Sequence, residues 1–238
     1  MLNYESKILD YLKGVRGVPI IKASGFQGDF NYVAMEALGE NLQTVHERCN
    51  DKFTLETTLL LADQFLEIIQ DIHDKYFVHR DLKPENFLLG RGKQGSRVYM
   101  IDFGLAKRYI EKNGKHIPYV EGKDFRGTLR YCSKNMHACI ENSRRDDLES
   151  IGYLLVYFLV GKLPWQSLDS LKKRNQKEMT KLIAQKKFNT SLENLCKGCP
   201  EEFIEYFKYV GNLQFTEKPD YASLRALFAG IFKKKNLK

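Results

Sequence analysis

No stretch of this chain is apolar for the ~18 or more residues that a membrane span needs. The longest apolar run, residues 151–160, is about half that length and predicts a buried core helix. The opening residues, Met1 to Lys7, lack the charged-then-apolar pattern of a signal peptide. Cysteines are few, five in all, and an odd number without a framework excludes a disulfide scaffold. A reducing compartment, cytosol or nucleus or both, is expected. Cys196 and Cys199 have C-x-x-C spacing, yet no second pair stands elsewhere, so two unlinked thiols near a turn are favoured over zinc. The chain also lacks internal repeats, low-complexity linkers and any aromatic-plus-basic nucleic-acid motif. Neither nucleic acid nor membrane is expected as a partner, and a monomer is expected.

What is present is a chain of 238 residues, 43% hydrophobic, enough for one large domain. Lys and Arg total 38 against 30 Asp and Glu, a net charge of +8. That excess points to acidic partners of some kind. Periodicity predicts a helix over 2–13, ended by Gly14 and Gly17. Short strands are predicted at 19–21, 23–26 and 31–35, with the clearest turn at 27–29. A connector over 35–39 leads to a short helix at 41–49. A longer helix over 54–74 follows, with Thr54 as its N-cap and Leu59, Phe65, Leu66 and Ile69 on its buried stripe. Residues 105–135 read as a long loop, a class that is usually functional or mobile. Residues 146–160 form an apolar helix for the middle of a helical layer, and Trp165 is expected to plug its end. A basic amphipathic helix over 170–187 and two or more further helices, at 200–211 and 219–233, finish the chain.

One stretch organises the rest. Residues 79–86 read HRDLKPEN, and 102–104 read DFG. Moving a phosphoryl group from ATP to a hydroxyl needs a base that orients the nucleophile, a cation on the transferring oxygens and oxygen ligands for Mg²⁺. Asp81, Lys83, Asn86 and Asp102 supply these in the expected order. Two short strands, 87–89 and 99–101, joined by a polar turn, would fold Asp102 back beside Asn86.

Further stretches extend the match along essentially the whole chain. They include Glu5 to Lys7, residues 59–64, DFGLAK at 102–107, HIPY at 116–119, Gly127 with Thr128, SRRDDLES at 143–150, LPWQ at 163–166 and KPDY at 218–221. With these the sequence resembles the casein kinase 1 family of serine/threonine protein kinases. Where that family carries the triplet S-I-N, this chain has Ser133, Lys134 and Asn135. The resemblance implies an α+β, protein-kinase-like fold: a small β N-lobe over 1–38 and a mostly helical C-lobe over 39–238. It implies ATP and Mg²⁺ as cofactors. Asp81 becomes the catalytic base, Lys83 the stabiliser of the γ-phosphate, and Asn86 and Asp102 the magnesium ligands. Adenine would bind the backbone of Glu36 and Leu38, with Met35 gating the pocket behind. Glu5 matches the helix glutamate of the lysine ion pair. Asp147 would hold the catalytic-loop backbone, a place where the helix dipole favours a carboxylate anyway. The family prefers acidic or already phosphorylated protein substrates. Arg130 matches one residue of the pocket that reads them, and Lys177 a second if one insertion is allowed; Lys172 to Arg174 and Lys177 read equally well as a solvated helix face. A residue that is Gly in familiar members is Ser167 here.

No G-x-G-x-x-G and no strand lysine precede the catalytic loop in this sequence. The resemblance therefore implies that the family's first three strands are missing, that the N-lobe is incomplete and that activity needs residues upstream of Met1. An incomplete copy of an active kinase, a short inactive relative that binds proteins, and a kinase completed by a separate segment are the three alternatives.

Overall fold

Apolar side chains at helical spacing form the first element, helix α1 (Leu2–Tyr11), which buries Ile8 and Leu9. It ends two residues short of the expected helix, although Leu12 remains in the core. The computed structural model of the chain describes residues 2–167 and 176–237. Strands β1 (Ile21–Gln27) and β2 (Phe30–Met35) form an antiparallel pair around a turn at Gly28. Two strands were expected where β1 runs unbroken; a bulge between Ile21 and Ala23 absorbs the irregular pattern there. Helix α1 lies against this pair.

The connector then runs along the next hairpin rather than free in solvent. Gly39 N–H donates to the Leu89 carbonyl (2.7 Å), and Leu89 N–H donates to Glu40 (2.9 Å). Helix α2 (Leu42–Arg48) starts at Asn41, whose side chain accepts from Thr44 N–H. Helix α3 (Leu55–Asp74) starts as expected, with the Thr54 hydroxyl accepting from Thr57 N–H. Its apolar stripe faces helix α5 (Arg144–Val160), which begins two residues before the expected start. The reason is local: the Ser143 N–H donates to Asp146 at 2.8 Å and fixes the first turn earlier.

Besides the first pair, the short strands form two more two-stranded sheets. Strand β3 (Phe77–Val78) pairs with β6 (Lys107–Arg108), and β4 (Phe87–Leu89) pairs with β5 (Val98–Met100). The β4–β5 hairpin is the expected one, with its second strand one residue earlier than 99–101. Strand β6 corrects the reading of 105–135 as loop throughout: two residues give no periodicity to detect, and the strand exists only through its partner. Helix α4 (Lys134–His137) follows, then α6 (Gln176–Phe188), α7 (Leu192–Leu195), α8 (Glu202–Asn212) and α9 (Tyr221–Lys234). The predicted start of the basic helix at 170, together with Lys172 to Arg174, falls outside the described residues. The short α7 was not expected.

Helix α5 is buried nearly all round, packed by α3 on one side and α8 on another, and α9 covers α3. Trp165 does not plug the end of α5. Its ring meets Tyr153, midway along that helix, edge-on at 5.1 Å. The helix end is closed instead by Gly161 (φ 88°) and by Phe53 N–H on the Phe158 carbonyl. With 48% helix and 11% strand, a small sheet at one end and a helical body, the fold is α+β and protein-kinase-like.

Candidate active site

The loop between β3 and β4 carries HRDLKPEN, and its shape is set from below by one carboxylate. Asp147, in the first turn of α5, accepts from His79 N–H (2.7 Å) and Arg80 N–H (2.9 Å). Just after those amides the backbone is strained, with Arg80 at φ 72°. His73 on α3 completes the support. Its Nε2 stands 2.9 Å from Asp147, and its Nδ1 stands 2.6 Å from the Tyr221 hydroxyl. Burial pushes His73 below the usual histidine range, so it is neutral, donating through Nε2 and accepting from Tyr221 through Nδ1. Burial alone would raise the Asp147 carboxyl. The His73 hydrogen bond and the loop amides outweigh it and keep Asp147 ionised.

Above this support the predicted residues converge. Lys83 Nζ lies 3.1 Å from Asp81 Oδ2. The Thr128 hydroxyl donates to Asp81 Oδ1 at 2.8 Å. Asn86 Nδ2 donates to the Asp81 carbonyl (2.9 Å), which points the amide oxygen the other way. Ile101 N–H donates to the Asn86 carbonyl (2.9 Å), so the hairpin delivers Asp102 to the same place. Burial opposes the charge on Lys83, but the carboxylates of Asp81 and then Asp102 raise its pKa above the usual lysine value. One ammonium thus feels both acids.

Asp102 is left-handed (φ 64°), and its carboxylate faces the Gly104 amide at 3.4 Å. Glu5 reaches this turn from α1, accepting from Phe103 N–H at 3.1 Å. Burial and then the Asp102 charge raise its carboxyl. Asn86 and Asp102 offer hard oxygen donors, which fits Mg²⁺. Glu36 is pinned to Ile20 through both its amide (3.0 Å) and its carboxylate (2.8 Å). Leu38 is half-buried beside it, and Met35 lies at the end of β2, paired with Ile21.

The two residues expected to read substrate charge are placed differently from each other. Arg130 belongs to the segment that carries Thr128. Lys177 is exposed near the start of α6, ten residues and so about 15 Å along the helix from Lys187. It is Lys187 that meets the Arg130 carbonyl, at 3.5 Å. A denser set of cations went unnoticed in the sequence. Lys107, Lys123 and Arg80 surround Glu141 at 2.7, 3.5 and 3.7 Å, and with Arg126 they line a cavity of about 420 Å³. Burial opposes the charge on Glu141, but Lys107 and its neighbours hold the carboxyl below its usual range. The +8 charge was the only signal of this cluster, because the four cations span 47 positions of sequence, from 80 to 126.

A model of the protein kinase domain matches residues 4–218 of the chain. That span contains the HRD loop, the DFG turn, the supporting Asp147 and both helices that pack around them. On this match and this geometry, the chain belongs to the protein kinase domain family.

Proposed function

We propose that the protein is a Mg-ATP-dependent serine/threonine kinase of the casein kinase 1 type, acting on acidic or already phosphorylated protein substrates. The observation that carries this is Asp81, whose two oxygens are oriented separately by Thr128 and Lys83 while Asn86 bonds its carbonyl and Lys83 also feels the charge of Asp102. Asp81 orients the substrate hydroxyl and takes its proton as the new O–P bond forms and the bond from the γ-phosphorus to the bridging oxygen breaks. Lys83 holds the transferring oxygens. Asn86 and Asp102 would hold magnesium, which when bound would supply charge neutralisation on the phosphates. The carbonyl of Glu36 and the N–H of Leu38 take the adenine edge. The preference for anionic substrates is supported by the basic cluster around Glu141, where three cations share one carboxylate and a net positive field is left facing the cavity.

The test is transfer of label from γ-labelled Mg-ATP to an acidic serine peptide. Asp81→Asn should abolish it, and a peptide with the acidic residues replaced by Gln should be a poorer substrate. Persistent transfer in Asp81→Asn overturns the assignment of the base. Failure of the unaltered protein both to transfer label and to be stabilised by Mg-ATP overturns the kinase reading itself.

A further inference from the structure

Lys187, on the last turn of α6, is buried to 1% exposure, and the phosphoryl-transfer chemistry makes no use of it. No carboxylate lies within ion-pairing distance of it among the described residues. Its ammonium has three donors. They meet three backbone carbonyls: Cys132 at 2.6 Å, Leu129 at 3.2 Å and Arg130 at 3.5 Å. The faces of Tyr153 and Trp165 lie 4.8 Å from the same nitrogen. A buried charge is costly unless every donor is matched, and here each one is. The Trp165 indole N–H also donates to the Arg130 carbonyl, at 2.8 Å.

Those carbonyls belong to a single tight turn. Tyr131 and Cys132 N–H both donate to the Thr128 carbonyl at 3.1 Å, and the Thr128 hydroxyl is the group that holds Asp81 Oδ1. Next to it, Gly127 sits at φ 85°, and a Cβ there would stand 2.7 Å from the Arg80 carbonyl. The turn is therefore wedged against the catalytic loop on one side and clamped by Lys187 and Trp165 on the other.

We infer that Lys187 is a positioning residue: its ammonium clamps the 128–132 turn, and so holds Thr128 against Asp81 and fixes the Arg130 backbone at the substrate side of the site. Burial, which favours the neutral amine, lowers its pKa from the usual lysine value, and the carbonyl cage keeps the donors engaged. The consequence for turnover rests on the kinase reading; the clamp itself does not.

The experiment compares the full chain with Lys187→Met and Trp165→Phe. Amide exchange of residues 128–133 is read by mass spectrometry, and kcat and KM are read separately for peptide and for Mg-ATP. Exchange in the turn should rise in both variants. Peptide kcat/KM should fall roughly 10- to 100-fold in Lys187→Met, the loss that a displacement of about 1 Å produces, with a smaller fall in Trp165→Phe. KM for Mg-ATP should stay the same. Should Lys187→Met fail to fold, Trp165→Phe, which keeps a ring in place, decides alone. Unchanged exchange in the turn overturns the clamp, and a rise in KM for Mg-ATP as large as that for peptide overturns the positioning role. If the unaltered protein transfers no phosphate, the exchange comparison still decides the clamp.

Discussion

Asp147 makes three hydrogen bonds with two oxygens and is buried, at 2% exposure. Asp147→Asn keeps the shape but turns an NH₂ toward N–H donors. Loss of a buried charged partner of this kind costs about 3–5 kcal/mol. Urea unfolding should show that loss together with release of the strained Arg80 backbone. Tyr221→Phe removes only the hydroxyl that faces His73, and should cost about 1–2 kcal/mol in the same measurement. Of this triad only Asp147 was legible in the sequence, through the SRRDDLES stretch and its place at a helix start. Tyr221 stood in the KPDY stretch, but its contact with His73 was not legible, nor was the role of His73, because the bonded groups lie 148 and 74 positions apart. Asp81, Lys83, Asn86 and Asp102 were legible because one short loop and one hairpin carry them all. Lys187 was hidden for the opposite reason: in a helix so rich in lysine, nothing local distinguishes the one that turns inward.

Among the elements, the long helices were the most legible. A stripe at helical spacing and a capping threonine gave α3 to within a residue. Helix α5 gave a weaker signal at its start, where charged residues that look solvated are in fact buried caps. Asp146 shows this: its carboxylate takes bonds from Ser133 (2.7 Å) and Asn135 (3.0 Å), so the Ser133–Asn135 triplet is anchored to the helix start. Burial pushes the Asp146 carboxyl up to about 6. At the other end, Gly161 is left-handed, and a Cβ would stand 2.5 Å from the Asp51 carbonyl. Gly161→Ala combines a left-handed penalty of about 1–2 kcal/mol with that clash. The melting temperature should fall, while exchange in the catalytic loop stays as it was. Strand β6 had no sequence signal of its own, since its two residues are specified by β3 alone.

For the whole molecule, the five histidines form one titrating set. Burial, the first cause in each case, lowers the pKa of His46, His73, His79, His116 and His137, the last to about 3. The unfolded chain takes up protons near pH 6.5 while the folded chain does not. Stability should therefore fall as pH drops below 6.5, by up to about 1.4 kcal/mol per pH unit for each histidine that stays neutral. Thermal unfolding between pH 7 and pH 5 checks this, and a flat profile would contradict it. Fold class was legible at this scale because the motifs run through most of the chain in order. The basic cluster around Glu141 was not, since only folding gathers it.

The central claim is that Asn86 and Asp102 bring magnesium to a triphosphate beside Asp81. Thermal unfolding with ATP, in the presence of Mg²⁺ or of EDTA, tests it most directly, because a ligand that binds only the folded state raises the melting temperature. The account predicts a rise with Mg-ATP that is absent with ATP and EDTA and absent in Asp102→Asn. An equal rise with and without magnesium, or one that survives Asp102→Asn, would contradict it.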